Sequence, residues 1–336
     1  MAFIDASERN IGFTFGGGRD PIAQISPGEP VRVRTQDCFA GRVRSVQDLP
    51  SQVCEFPFLN PVTGPLYVQG AQPGDTLAVH LIDLDPVGEV GFSATFPHFG
   101  ALTGTDATAM LHPALEEVVW EYPLDPVART VRFTARKAAG GAPPYTVDLP
   151  MRPMLGTIGV APAGGETRMS IVPGAHGGNL DTPLIRAGTT VYLPVNVDGA
   201  LLALGDGHAL QGDGELCGVA VEVPMDVTLV VEVVTGISTP WPRLETDQRY
   251  GSIGVARPLE DAYRGSHRRL VDDLCAMTGL DPLDALQLVS QVGMARIGNV
   301  VDAEYTVVAL INRALFDGEQ AYQGAHDRLR AVARVS

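Results

Sequence analysis

The 38 glycines and 26 prolines of this 336-residue chain cut its first two thirds into short apolar runs. Glycine costs a helix interior backbone entropy, and proline costs it an N–H and a clash with the preceding turn. Short β-branched runs bounded by turn pairs therefore predict strands. Pro30 to Thr35 and Thr76 to Asp83 alternate apolar and polar residues, which predicts strands with one wet face each. Thr189 to Val197, the Asp198-Gly199 pair and Ala200 to Leu204 read as a hairpin, because Asp-Gly favours a tight two-residue turn. Cys217 to Val223 and Asp226 to Val234 extend the sheet, and Ala138 to Pro144 reads as an exposed hairpin tip.

Helical spacing comes late. Leu259, Ala262, Tyr263, Leu270 and Leu274 share a face over Pro258 to Ala276, and Thr278-Gly279 is the stop. Asp281-Pro282 opens a second helix over Leu283 to Val292. The expected fold is mainly β (α+β), a sandwich- or barrel-like core with a C-terminal pair of helices. Three regions are expected to form one compact unit: residues 1–150, 151–250 with the polar site, and 251–336. Gly156-Thr157-Ile158-Gly159-Val160-Ala161 is echoed by Gly251-Ser252-Ile253-Gly254-Val255-Ala256, either as the mark of related substructures or as chance likeness of small-residue strands.

Charge and length remove several classes of partner. With Lys+Arg 24 against Asp+Glu 39 the net charge is -15, which disfavours nucleic acid and anionic lipid. The longest apolar runs, such as Val227 to Val234, fall short of the ~20 residues that span a bilayer. Cys38, Cys54, Cys217 and Cys275 lack Cys-x-x-Cys spacing, and no apolar leader precedes them, so a reduced, cytoplasmic protein is expected. Lys137 is the single lysine, in a charged segment before a glycine-rich tip, so a lysine-based amidase mechanism is disfavoured.

Chemistry concentrates in two glycine-rich stretches, His176 to Asp181 and Gly205 to Glu215. Asp206 and His208, spaced i, i+2, project to one side if the chain is extended, and so would Asp213 and Glu215. Imidazole mixed with carboxylate suits zinc or a similar ion that activates water. Asp-Gly pairs are also ordinary turn formers, and it is the presence of two such stretches within forty residues that raises the reading above a turn. A helix-loop-helix calcium site is disfavoured, since Asp206 to Glu215 is shorter than its twelve positions and its flanks do not read as helical. Asp37 ends an apparent strand, while Cys38 and Cys217 read as small buried hydrophobes. His98 and His112 read as pocket wall or surface, and His267 and His326 as solvated; His80 has no assigned role.

These residues lie in blocks that resemble the acetamidase/formamidase family: Thr35 to Phe39, Asn60 to Val68 with Gly70 to Leu77, Gly156 to Pro162, Pro173 to Asp181, Ala187 to Pro194, Gly205 to Gly218, Pro224-Met225 and Glu245 to Asp247. The resemblance runs in order from about Val31 to Val308. It implies a β-rich homo-oligomer (dimer, trimer or tetramer) that hydrolyses a small linear amide to a carboxylic acid and ammonia with a divalent metal, zinc first and calcium second. Within that frame Asp37, His176, Asp206 and His208 are expected to hold the metal. Glu215 is expected to be the base, Asn179 and Asp181 to bind the amide NH2 or orient a ligand, and Glu222 is held in reserve. Phe92 to Tyr122 is the least family-like stretch, either because its aromatics shape the acyl pocket or through ordinary loop drift. The alternatives are a metal-containing β-barrel binding protein or isomerase without amidase activity, and a non-catalytic scaffold.

Overall fold

The computed structural model describes residues 1–102, 114–137, 140, 142–316 and 321–334. His112 lies outside them, as does part of the Ala138 to Pro144 tip. Two large sheets are stacked face to face. The first has nine strands in the order Ala2–Ile4, Val31–Thr35, Met225–Val234, Thr76–Pro86, Thr190–Pro194, Arg243–Glu245, Arg249–Ala256, Tyr305–Asn312, Met294–Ile297. The second runs from the outlying strands Thr146–Pro150, Thr130–Thr134 and Val118–Asp125, through Val90–Thr95 and Val221–Glu222, to Leu202–Leu210, Met154–Gly159 and Gly177–Asn179. Val62–Val68 joins it at Leu202–Leu210. The result is a sandwich without a closed barrel, as the strand pattern predicts.

Side-chain alternation explains the layers. Leu77, Val79 and Leu81 point into one apolar core with Leu66, Leu155, Ile158, Leu202 and Leu204 of the opposite sheet. Ala78, between them, points the other way, where Tyr192, Val230, Ala325 and Leu329 cover it. Thr76–Pro86 therefore has no wet face over its first half, contrary to its sequence pattern, because a helix at Ala325–Ala333 seals the outer side. Val31–Thr35 keeps the expected alternation of buried and half-buried residues. Each fully buried Leu or Val contributes roughly 1.5–3 kcal/mol over an exposed one, so this sealed face adds much of the hold on the C-terminal helix.

The predicted helix pair is present as Leu259–Thr278, ended by Gly279 in the left-handed region, and Pro282–Val292, capped by the Asp281 carboxylate on the Leu283 N–H. Leu270, Leu274, Ala285 and Val289 bury against Tyr250, Ala309 and Ile311, while Tyr263, Leu283 and Leu286 stay exposed. Helix Leu259–Thr278 approaches strand Arg249–Ala256 most closely at Gly254, where a Cβ would strike the Ala262 carbonyl and the Ser266 N–H. The echoed segments sit in different sheets, and their glycines answer different neighbours.

Three expectations are corrected. Thr190–Pro194 and Leu202–Leu210 do not pair; they belong to different sheets, and the Asp198-Gly199 turn is a crossover between layers. Turn chemistry fixes a change of direction but not the partner strand. Cys217 is exposed and not a buried hydrophobe, since the chain leaves the sheet at residues 211–220 and only Val221–Glu222 re-enters it. His326 is fully buried: its Nδ1 meets Thr190 Oγ1 at 2.8 Å, and Thr190 Oγ1 meets His80 Nδ1 at 2.9 Å. The charged neighbours of His326 on its helix predict exposure, whereas its own side chain faces the sheet. His98 is exposed, and His267 is half-buried on Tyr263. Among the described residues no helix is long and apolar enough to cross a membrane.

Candidate active site

The site forms where two neighbouring strands lose their regular alternation. Leu204 faces the core, so a strict period of two would send Asp206 and His208 there as well; instead Ala209 is the next core residue. The reset falls at Asp206, whose φ of 60° lies in the left-handed region. The antiparallel partner, Met154–Gly159, resets at the same level: Leu155 and Ile158 both reach the core, and the pairs Leu155–Gly207 and Thr157–Gly205 bracket Gly156 against Asp206. Asp206 and His208 consequently share the outer face, as their spacing predicts.

Gly156 makes the approach of two carboxylates possible. A Cβ there would stand 2.5 Å from Asp181 Oδ1 and closer still to Asp206 Oδ2. Gly156→Ala is expected to leave the fold assembled but to push the two carboxylates apart, so that if the cluster holds a divalent ion its affinity should fall at least about tenfold. Calorimetric titration of the folded variant against zinc checks this, and unchanged affinity would refute it.

Around this floor converge five carboxylates, one imidazole and one thiol: Asp181, Asp206, Glu215, Glu222, Asp302, His208 and Cys38, all buried. Candidate ligand atoms of Cys38, Asp206 and Glu222 lie within 4.8 Å of one another, and so do those of Asp181, His208 and Glu215. Asn60 braces the cluster by donating to Asp206 Oδ2 at 2.9 Å, and Thr157 Oγ1 lies 3.2 Å from the same oxygen. Asn179 takes hydrogen bonds from Asn60 and Thr157 on its oxygen and donates from its nitrogen to Asp181 and Asp302. Its amide is thereby committed within the protein, which makes it an orienting group more than a substrate ligand.

The tautomer of His208 follows from its neighbour. Gln211 Nε2 donates to the carbonyls of Asp181 and Gly298, at 2.6 and 3.1 Å, so Gln211 Oε1 is left to accept from His208 Nδ1 at 2.8 Å. Nε2 then faces the acids, 3.3 Å from both Asp206 Oδ1 and Glu222 Oε2. Burial drives the carboxyls of Asp181 and Glu215 well above the usual range, and those of Glu222 and Asp302 to about 7. Burial works against a charged His208, but Glu222 and Asp206 outweigh it and hold the imidazole well above its ordinary value. So much acid around one cation-forming side chain is an electrostatic deficit of positive charge. Asp181 Oδ1 is buried with no hydrogen-bond partner, and Asp206 Oδ1 and Glu222 Oε2 are met only by His208 Nε2 at 3.3 Å.

A cavity of about 40 Å³ opens on this cluster, walled by Phe39, Leu59, Phe96, Phe99, Ile171 and Val219 and floored by Asn179, Asp206, Glu215, Glu222 and Asp302. The expected aromatic wall from Phe92 to Tyr122 is represented by Phe96 and Phe99; Trp120 instead stacks under Arg136. Lys137 is exposed on the outlying hairpin.

Two expected ligands stand apart. His176 is 4% exposed, packs edge-on against Phe15, and lines a separate cleft with Arg168, Asn196 and Trp241. His176 stands in the turn that precedes strand Gly177–Asn179, and the left-handed φ of Gly177 and Gly178, 98° and 88°, separates its direction from that of Asn179. Asp37 is buried, but its Oδ1 accepts the N–H groups of Phe39 and Gly41 at 2.9 and 3.0 Å, and burial raises its carboxyl to about 6. It ties the turn that carries Cys38. Asp213 and Glu215 do not share a side: Asp213 pairs with Arg296 at the surface, while the left-handed backbone of Gly214 and Glu215 turns Glu215 inward. Asn60 and Asp302 were missed in the sequence, and Glu222, held in reserve, is central.

Residues 19–169 and 142–245 match the model of the "Acetamidase/Formamidase family". An acetamidase from Mycolicibacterium smegmatis is 24% identical over 64% of this chain, and the chain spans 63% of the length of that curated relative. The solved acetamidase of Yersinia enterocolitica is 41% identical, with a TM-score of 0.85 over 94% of this chain and 93% of that one. The acetamidase of Bacillus halodurans is 33% identical, with a TM-score of 0.82 over 95% and 100%.

Proposed function

Since the chain belongs to the acetamidase/formamidase family, we propose that it hydrolyses a short linear amide, RCONH2 + H2O → RCOOH + NH3, at the Asp206–His208 cavity. The observation that carries this reading is the ring of buried acids around His208 Nε2, with Asp181 Oδ1 unpartnered and Asp206 Oδ1 and Glu222 Oε2 sharing that one nitrogen. A divalent cation fits that donor set, with Asp206, His208 and Glu222 as its nearest holders and Asp181 beside them. Such an ion supplies Lewis-acid polarisation of the amide carbonyl and a lowered pKa for water.

The chain's own groups do the rest. Glu215 borders the cavity on a turn stitched to Ile297, Gly298 and Val300, so its carboxylate is held rigidly against the substrate space. It takes a proton from water as that oxygen bonds to the amide carbon, and it returns the proton to nitrogen as the C–N bond breaks. Asn179 holds Asp181 and Asp302 in place, and Gln211 presents His208 Nε2.

A buried water needs roughly 10–15 Å³ of such space, so the cavity takes a substrate of only a few heavy atoms, with Phe96 and Phe99 closing on the acyl side. Phe96→Ala is expected to shift preference toward longer acyl chains, raising kcat/KM for a butyramide-sized amide relative to acetamide about tenfold, in line with one to two methylenes of pocket. Equal loss on all amides would refute an acyl-wall role. A homo-oligomer belongs to the same reading, supported by exposed Leu283, Leu286, Val292 and Met294 beside the edge strand Met294–Ile297.

The test is ammonia release from a panel of small linear amides, before and after chelation. Release that disappears on chelation and returns with zinc supports the reading. Release that is indifferent to chelation removes the cation from it. No release from any amide, with a metal bound, favours the binding-protein alternative.

A further inference from the structure

We propose that Cys38 Sγ is a direct ligand of the divalent cation, giving the site one soft donor and a preference for zinc-like ions over calcium or magnesium. The proposal rests on the cation reading above and assigns a ligand that the sequence reading treated as a buried hydrophobe.

The first observation is placement. Cys38 is 8% exposed, lines the cavity, and has its sulfur in one group with carboxylate oxygens of Asp206 and Glu222, all within 4.8 Å of one another. Ligands at Zn–S ≈ 2.3 Å and Zn–O ≈ 2.0–2.2 Å sit within that spacing. Independently, Asp206 Oδ1 and Glu222 Oε2, the acid members of the group, are buried and make no well-formed hydrogen bond, met only by His208 Nε2 at 3.3 Å. One imidazole shared between two buried acids leaves acceptor capacity on the side where the sulfur sits.

The backbone aims the sulfur. Asp37 receives the N–H groups of Phe39 and Gly41, and the Cys38 carbonyl accepts the Asn60 N–H at 2.9 Å, while Asn60 Nδ2 donates to Asp206. Asn60 thus couples the position of the Cys38 turn to that of the carboxylate. Behind the cysteine, Phe39, Val43, Ala94 and Val219 form an apolar backing that leaves the polar side as the one with chemistry. On binding, the S–H bond gives its proton to solvent and the sulfur lone pair forms the bond to the cation, so one proton is released per thiolate ligated. Thiolate selects zinc-like ions, whereas carboxylate and carbonyl oxygens alone suit calcium and magnesium.

The experiment uses the full chain, stripped with chelator and reloaded with Co(II). The expected result is a sulfur-to-cobalt charge-transfer band in the near ultraviolet. That band should vanish in Cys38→Ser and Cys38→Ala, and persist in Cys217→Ser, the exposed-cysteine control. Zinc affinity by chelator competition should fall at least about tenfold in both Cys38 variants, with calcium affinity changed less than about twofold. Two variants are used so that one misfolding leaves the other to decide. Cobalt bound to the native chain without the band, or a band surviving in either folded Cys38 variant, overturns the ligand assignment while leaving the cation site standing. A native chain that binds neither cobalt nor zinc overturns both.

Discussion

Glu215→Gln is expected to lower kcat by about 10²–10⁴-fold, the range that positioned proton transfer supplies, with KM changed little and the fold retained. The glutamine has the same shape and replaces a carboxyl that burial already holds well above its usual range. Because the swap keeps the shape of the side chain, the variant is expected to melt close to the native chain. Loss of rate without loss of structure separates a proton-transfer role from a scaffolding one. Steady-state kinetics and thermal melts of the purified variant give both numbers. Retention of activity within a factor of ten would move the base to Asp302 or Asp181, which share the acid cluster.

The second large effect is on stability against pH. In chelated protein the melting temperature should fall as pH rises from about 4 to about 7. Glu222 and Asp302 have folded-state values near 7, and Asp37 near 6, each above its ordinary carboxyl value, chiefly because burial disfavours the charge. The folded chain then binds more protons than the unfolded one across that window, so stability declines with pH, on the order of 3 kcal/mol for each strongly raised group. His208 acts in the same direction, because its raised folded value means that pairing with Glu222 and Asp206 stabilises below the ordinary histidine range and fades above it. Toward the acid limit the trend reverses as Asp226 and Asp327, held low by Arg34 and Arg313, become protonated and lose their ion pairs. Zinc should flatten or invert the decline, since ligands must shed protons to bind. Calorimetry from pH 4 to 8 with and without chelator measures this. A chelated protein whose melting temperature climbs steadily from pH 4 to 7 would show that these acids are not crowded.

Much of the site was legible because it obeys a short-range rule. Asp206 with His208 and Asn179 with Asp181 are i, i+2 pairs, and each pair reaches the site, although Asp206 and Asp181 take left-handed φ. His176 is separated from them by a turn and two left-handed glycines, which its spacing alone does not reveal. Cys38 carries no local mark that separates a buried hydrophobe from a ligand; only the carboxylates around it do. Asn60 and Asp302 enter through turns whose order in the chain says nothing about where they meet.

At the level of layers the division is similar. Turn residues and β-branched runs, acting over a few bonds, determined that this would be a strand-rich sandwich followed by two helices, and the near absence of lysine narrowed its chemistry. Contacts between distant segments decided which strands pair, which face of Thr76–Pro86 is sealed, and that His326 is buried. The acid cluster belongs to this second class: each carboxylate is ordinary where it stands in the chain, and becomes chemically potent when folding strips water from all of them in one small space.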